Sequence, residues 1–238
     1  MKFVFITLML ISFARCCLAG SISKVAIDIG HSKLYPGAIS ARGKPELEFN
    51  VGLARALQRV LTTHQIKSFF IGEDGGMVDL KQRTSRANAN GASFFLSIHH
   101  DSAQPKYLKS WKWQEVDRPY SDNFSGFSLF ISRKNPQLTK SLHCARLIGK
   151  ALKQKGFSPS SHHAEPIRGE NREWADKNAG VYYYDDLIVL KTAKVPAVLV
   201  EAGVIVNQNE EQNIQRDSTR NRIATAITQG LTSCKALE

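Results

Sequence analysis

Three apolar runs in the sequence each end close to a side chain that can bind a metal ion or transfer a proton. These side chains are His31 after residues 24–29, His99 and His100 after residues 93–98, and Glu201 within residues 196–203. In an open α/β sheet, catalytic and ligand-binding groups collect outside the carboxyl ends of the strands. If the three runs are strands of one such sheet, we expect the imidazoles and the carboxylate to meet at one edge.

Two imidazoles and one carboxylate are the protein ligands of a catalytic zinc site that leaves one position open for water. This ligand mixture favours Zn2+, although cobalt and manganese are compatible with it. The carboxylate is available from Glu46 or Glu48, in the first turn of a predicted helix over residues 45–61. Glu201 would then be free to act as a general base on the bound water.

Each of these residues also has a purely structural interpretation. Glu46 could favour the positive end of its helix. Glu201 could be a salt-bridged strand terminus, and His31 could be an ordinary loop histidine. The metal site is favoured because three separate strands place such groups at corresponding ends.

A second group of possible ligands lies outside the apolar runs. His162, His163 and Glu165 are close together in the chain. Adjacent side chains point in opposite directions in an extended segment. We therefore expect this group to contact substrate or to gate the site rather than to bind a metal ion together.

The expected strands are nearly continuous apolar runs, rich in β-branched and aromatic residues, which is typical of strands covered on both faces. They comprise residues 24–29, 66–72, 93–98, 126–132 and 196–203. Apolar residues at three- and four-residue spacing predict helices over residues 45–61, 138–156 and 209–234. This alternation predicts a single α/β domain with a mostly parallel sheet and helices on both faces.

The first 19 residues have the layout of a secretory signal peptide, with a cleavage site before Gly20. Their apolar stretch is too short to span a bilayer, and no later segment looks transmembrane. We therefore expect residues 20–238 to form one exported domain, periplasmic or extracellular. Lipidation through Cys16 or Cys17 is the alternative.

Charge and cysteine content fit export. Without Lys2 and Arg15, the chain has 30 basic and 21 acidic residues, a net charge of +9, which suits a polyanionic partner such as a cell wall. Basic and aromatic residues do not interleave in a way that predicts nucleic-acid binding. Cys144 and Cys234 could form a disulfide in an oxidising compartment or be buried as two small apolar residues.

Four blocks of the sequence resemble, in order, the zinc-dependent N-acetylmuramoyl-L-alanine amidases of the Amidase_3 family. The blocks are "VAIDIGHSKLYPGAI", similar to the family's Asp-Pro-Gly-His-Gly-Gly opening; "PELEFNVGLARALQRVL", similar to its Glu-Lys-Asp-x-Asn-Leu helix start; "KQRTSRANANGASFFLSIHHDS", similar to its Arg-x-x-x-Ala-Asn and Ser-Ile-His-Ala-Asn segments; and "LKTAKVPAVLVEAGVIVNQNEE", similar to its Pro-Ala-Val-Leu-Val-Glu-x-Gly-Phe block. The first block departs from the pattern at Ile29, Ser32 and Lys33, so its loop is expected to differ in shape.

The resemblance implies that His31, Glu46 and His99 bind Zn2+ and that Glu201 is the catalytic carboxylate. It implies a six-stranded, mostly parallel sheet flanked by helices, in a protein we expect to be a monomer. The implied substrate is peptidoglycan, cut at the amide between N-acetylmuramic acid and L-alanine. A stem-peptide or free-muropeptide hydrolase and a non-catalytic wall-binding module are the alternatives.

Two long stretches, residues 102–125 and 157–186, have no firm counterpart in the shorter family members and are expected to be loops. In some relatives an inserted helix blocks the active site until an activator protein relieves this autoinhibition. Either stretch is a candidate for that role. Their tryptophans and tyrosines are alternatively suited to glycan binding.

Overall fold

The computed structural model describes residues 23–234, which form a central seven-stranded sheet, a separate hairpin and six α-helices. The expected signal peptide and the two cysteines near its end lie outside these residues. In chain order the elements are β1 Lys24–Ile29, α1 Glu46–Thr63, β2 Lys67–Ile71, α2 Leu80–Ala89, β3 Phe94–Asp101, β4 Lys109–Trp113, β5 Val116–Tyr120, β6 Ser128–Ile131, α3 Leu138–Gln154, β7 Trp174–Asp176, β8 Val181–Tyr183, α4 Ile188–Thr192, β9 Ala197–Val204, α5 Gln208–Ile214 and α6 Asp217–Ser233.

The strand order in the sheet is β2-β1-β3-β9-β6-β8-β7. The first four strands run parallel to one another, and β6 is antiparallel to β9. Strand β8 is parallel to β6, and β7 is antiparallel to β8. The mostly parallel sheet is confirmed, but it has seven strands rather than six. The five predicted strands are all present, and β7 and β8 are three-residue strands too short to produce a clear apolar run.

Helices cover both faces of the sheet, as predicted. One core cluster joins β1, β3 and β9 to α1, α3 and α6, and a second joins the opposite face to α2 and α4. Strand residues alternate between these clusters: Ile27 faces the first, and Ala26 faces the second. The single helix predicted over residues 209–234 is divided into α5 and α6, because Arg216 has an extended conformation with ψ 134°.

A disulfide joins Cys144 in α3 to Cys234 at the end of α6, with Cα atoms 5.1 Å apart. It resolves the alternative left open by the sequence. The bond closes a loop with a sequence separation of 90 residues. It therefore ties together two helices that pack on the same face of the sheet.

Both long stretches, which were predicted to be loops, contain regular secondary structure. Residues 102–125 contain the β4–β5 hairpin, which packs against the segment after β1 through a 2.8 Å hydrogen bond from Trp111 Nε1 to the Ala41 carbonyl. Residues 157–186 contain a 3-10 turn at His162–Ala164 and strands β7 and β8. Neither stretch forms the α-helix expected of a blocking insertion. Among residues 23–234, no helix is long and apolar enough to cross a membrane.

Candidate metal centre

His31, Glu46 and His99 lie together at the carboxyl end of β1 and β3, and we refer to them as the triad. Glu46 Oε2 is 2.8 Å from His31 Nε2, and Glu46 Oε1 is 3.0 Å from His99 Nδ1. One ligand atom from each residue lies within 4.8 Å of the other two. Two imidazoles and a carboxylate at this spacing have the donor set of a catalytic zinc site. The side chain of His31 remains 28% exposed, so the centre is open to solvent.

Glycines allow the triad to pack this closely. A Cβ atom on Gly30 would lie 2.2 Å from His99 Nε2, because the His99 ring lies directly against the backbone of residue 30. A Cβ on Gly37 would lie 2.5 Å from Glu46 Oε2. His31 itself has φ +71°, in the left-handed region that non-glycine residues rarely adopt. This conformation is maintained by contacts of the surrounding loop.

Arg83 on α2 holds the loop that carries His31 in place. The arginine is 2% exposed and donates to the carbonyls of Ile29, His31 and Met77. It also forms a 2.7 Å ion pair with the buried Asp28. Asp28 is therefore linked to His31 through Arg83.

A second layer of hydrogen bonds orients Glu46. Its Oε1 accepts from the backbone N–H of His100 at 3.1 Å and from Asn50 Nδ2 at 3.2 Å. Its Oε2 accepts from the Ala38 N–H at 3.1 Å. Asn50, one helical turn after Glu46, also contacts His100 Nδ1 at 2.8 Å. Glu48, the alternative ligand considered from sequence, is exposed on the same helix and does not join the triad.

The electrostatics favour an ionised Glu46. Burial opposes ionisation, but hydrogen bonds from His31 and His99 outweigh it and hold the pKa of the Glu46 carboxyl below its usual range. Burial lowers the pKa of His100 to about 4, so this imidazole is neutral near pH 7. Glu46 is thus ready to bind a cation, and His100 serves as an uncharged support.

Glu201 lies beside the triad and is not one of its three members. It is directly opposite His99 in the register of β3 and β9, so the two side chains share one face of the sheet. Its Oε2 is inaccessible to solvent and has no hydrogen-bond partner among residues 23–234. Burial, followed by the charges of Asp101 and Glu46, raises the pKa of the Glu201 carboxyl well above its usual value. A carboxyl with these properties can hold and release a proton.

An apolar cavity of about 420 Å³ opens next to His31 and His99. Its wall includes Tyr35, Met77 and Leu187. The cavity offers a substrate a largely apolar surface within reach of the two imidazoles. No residue of 102–125 or 157–186 lines this cavity.

Asp101, His162 and His163 form a second convergence of ligand groups, which sequence reasoning did not anticipate. We call it the Asp101 cluster. Asp101 Oδ2 is 2.6 Å from His163 Nε2 and 3.1 Å from His162 Nε2. The two histidines approach one atom because they lie in a 3-10 turn, and the extended segment assumed from sequence is wrong. Glu165 is not part of this group, and its carboxylate accepts instead from the Tyr107 hydroxyl at 2.7 Å.

An open α/β sheet with two imidazoles, a carboxylate and an unengaged second carboxylate at the strand ends has the layout of a metal-dependent hydrolase. Residues 25–233 match the family model Amidase_3, described as N-acetylmuramoyl-L-alanine amidase, and the chain belongs to this family. The family match confirms the resemblance read from the four sequence blocks.

Individual relatives agree with this assignment. The chain is 26% identical over 223 residues to the N-acetylmuramoyl-L-alanine amidase AmiA of Escherichia coli K12, covering 88% of this chain and 75% of AmiA. It is 25% identical over 228 residues to AmiA of Salmonella typhimurium, covering 90% and 76% of the two chains.

Solved structures show the same fold. The amidase Ami1 of Mycobacterium smegmatis superposes with a TM-score of 0.70 at 19% identity, covering 90% of this chain and 98% of Ami1. The catalytic domain of the amidase CwlV of Bacillus (Paenibacillus) polymyxa gives a TM-score of 0.66 at 24% identity, covering 89% and 97%.

Proposed function

We propose that the protein is a zinc-dependent peptidoglycan amidase that hydrolyses the bond between N-acetylmuramic acid and L-alanine, with His31, Glu46 and His99 as the metal ligands and Glu201 as the catalytic carboxylate. The family match supports the reaction. The observation that supports the residue roles is the position of Glu201 opposite His99 in the strand register, with one buried carboxylate oxygen that has no partner among residues 23–234. The donor set of the triad fits zinc.

When bound, zinc supplies a water of lowered pKa and an electrophile for the scissile carbonyl. The residues of the chain then provide the orientation and the proton transfers. Glu46 holds its two imidazole neighbours through separate oxygens, and Asn50 and the His100 N–H hold Glu46. The ligand geometry is thus preorganised before substrate arrives.

Glu201 moves the proton. Its carboxylate accepts a proton from the attacking water as the water adds to the amide carbonyl carbon. The C–N bond then breaks, and the protonated Glu201 donates the same proton to the departing amine of L-alanine. Burial and neighbouring carboxylates raise the pKa of Glu201, and a raised pKa makes its carboxylate a stronger proton acceptor. The apolar cavity beside the triad receives part of the substrate.

The site of action follows from the substrate. We infer that residues 1–19 are a signal peptide and that residues 20–238 act outside the cytoplasm, on the cell wall. The Cys144–Cys234 disulfide supports this inference, since such bonds persist in oxidising compartments. The net charge of +9 after residue 19 supports attachment to an anionic wall. A solved relative, the CwlD amidase of Clostridioides difficile, is in complex with the GerS lipoprotein, which supports the proposal that this enzyme also has a protein partner.

The experiment compares the protein from Gly20 onward with its His99→Ala variant and with His64→Ala, which removes an exposed histidine of α1's C-cap outside the triad. Each is incubated with purified peptidoglycan, and soluble products are identified by mass spectrometry alongside zinc content. We expect intact stem peptides beginning with alanine from the wild type and from His64→Ala, and none from His99→Ala. Stem peptides cut internally would instead indicate a peptidase, and equal product from His99→Ala would reject the assigned site.

A further inference from the structure

The Asp101 cluster repeats the chemistry of the triad within the same molecule. In both groups, two imidazole nitrogens approach one carboxylate: the distances are 2.8 and 3.0 Å at Glu46, and 2.6 and 3.1 Å at Asp101. Donor atoms on a tetrahedral zinc ion, with bonds of about 2.0–2.1 Å, are separated by about 3.3 Å. Each imidazole–carboxylate pair would therefore have to separate by less than 1 Å to hold an ion, and the three donor atoms of each group lie within 4.8 Å of one another.

The other ring nitrogen of each histidine in the Asp101 cluster is also held. His162 Nδ1 is 2.8 Å from Ser160 Oγ, and His163 Nδ1 is 2.8 Å from Glu170 Oε2. Histidines that bind metals typically have this second contact, which fixes the ring and its tautomer. Both Nε2 atoms are consequently directed at the same point beside Asp101.

The contact between His163 and Asp101 requires a positive charge. A carboxylate only accepts hydrogen bonds, so Glu170 fixes a proton on His163 Nδ1. In the neutral imidazole, Nε2 then carries a lone pair that faces an Asp101 oxygen. Two acceptors at 2.6 Å are stable only with a cation between them, which is either a second proton on His163 or a metal ion.

The surroundings of His162 favour the metal ion over the second proton. Its Nε2 is inaccessible to solvent and, within the part of the chain that the structure describes, has no hydrogen-bond partner, although Asp101 Oδ2 lies 3.1 Å away. The residue is 2% exposed, and a buried polar atom without a partner is costly. A proton between His163 and Asp101 leaves this atom unsatisfied. A metal ion bound to Asp101 would engage both Nε2 atoms at once.

We propose that Asp101, His162 and His163 form a second metal site, distinct from the triad, that binds a divalent first-row transition ion such as zinc. Two imidazoles and one carboxylate are suited to zinc, cobalt, nickel or iron(II) and not to calcium or magnesium. The carboxylates of Asp101 and Glu170 balance the charge of the ion. Aromatic rings enclose the site: His162 packs against Phe124, and His163 packs against Phe130.

The burial of the site assigns it a structural or positioning role. The side chains of His162 and His163 are 2% and 9% exposed, and that of Asp101 is 15% exposed. The ion would join the end of β3 to the 157–186 stretch, which also meets the sheet through strands β7 and β8. Because Asp101 is two residues from His99 on β3, the same ion would also fix the strand end that carries a triad ligand.

The test counts zinc ions per folded chain. Protein from Gly20 onward is stripped with a chelator, dialysed against Zn2+ and analysed for metal content. The variants are His162→Gln, His31→Gln, the double variant, and His64→Gln as the control outside both sites. Far-ultraviolet circular dichroism verifies the fold of each, and Asp101→Asn, which preserves side-chain volume, replaces His162→Gln if the latter does not fold.

We expect two zinc ions per chain in the wild type and in His64→Gln, one in each single variant, and none in the double variant. One ion in the wild type that is lost in His31→Gln and retained in His162→Gln would overturn the second site. If the ion lost is the one that depends on His162 while His31→Gln has no effect, the second site stands and the triad assignment of the proposed function fails.

Discussion

Replacing Gly30 with alanine is expected to displace one triad ligand without an unfavourable backbone conformation. The φ angle of Gly30 lies outside the left-handed region, and the added Cβ would lie 2.2, 2.3 and 2.6 Å from the His99 atoms Nε2, Cε1 and Cδ2. Ordinary van der Waals contact begins at 3.4 Å, so the ring has to move by about 1 Å. Metal sites tolerate deviations of only about 0.2 Å in ligand distance.

We expect zinc to bind Gly30→Ala about 100-fold more weakly than the wild type, a difference of about 2.8 kcal/mol. The free energy of unfolding of the metal-free protein should fall by about 1–3 kcal/mol because the site is overpacked. Competition with a zinc-binding dye measures the affinity, and urea denaturation in chelator measures the stability. Gly76→Ala is the control, since its Cβ would meet no atom closer than 3.4 Å.

A double-mutant cycle tests whether the clash with the His99 ring causes these losses. In the His99→Ala background the ring is absent, so Gly30→Ala should be neutral or should stabilise the fold by about 0.5 kcal/mol through a less flexible unfolded chain. The reasoning is refuted if Gly30→Ala binds zinc within twofold of the wild type. It is also refuted if the loss of stability is the same with and without the His99 ring.

Three further predictions concern other parts of the molecule. Glu201→Gln should retain zinc and lose turnover on peptidoglycan; comparable release of stem peptides from the metal-loaded variant would remove the role assigned to Glu201. Cys144→Ala, which frees Cys234, should lower the free energy of unfolding by about 4–5 kcal/mol, since the disulfide closes a loop of 90 residues; an unchanged urea midpoint would contradict this. Arg83→Met should cost about 3–5 kcal/mol because Asp28, 1% exposed, loses its partner, and Asp28→Asn should restore part of that loss in a thermal melt.

Much of the scaffold could be predicted because its signals are local. The apolar runs at β1, β3 and β9 and the spacing in α1 and α3 depend only on neighbouring residues, and they sufficed to predict that His31 and His99 meet at one edge. The choice of Glu46 over Glu48 came from the family resemblance. The helix α2, with the sequence LKQRTSRANA, was missed because it has few apolar residues. Its buried residues are Arg83, Thr84 and Ala87, a set that hydrophobic periodicity does not detect.

The Asp101 cluster could not be predicted because it depends on long-range geometry. His163 reaches Asp101 across 62 residues, and the sequence contains no signal that pairs them. The local prediction failed because it treated residues 162 and 163 as extended, whereas a 3-10 turn brings the two rings to a centroid distance of 4.0 Å. The contact of Asn50 with Glu46 could have been predicted from the sequence, because a polar residue four positions after Glu46 lies on the same face of the helix.

The reversal of strand direction between β9 and β6 has a consequence for how such an enzyme can diversify. Because β3 ends and β6 begins at the same edge of the sheet, the connection of residues 102–127 departs from and returns to the rim of the metal centre. Insertions or deletions in it would change the surroundings of the site while the strands that position His31, His99 and Glu201 stay in place. The surroundings of the site and the positions of its side chains thus depend on separable parts of the chain, and the length of one can change without moving the other.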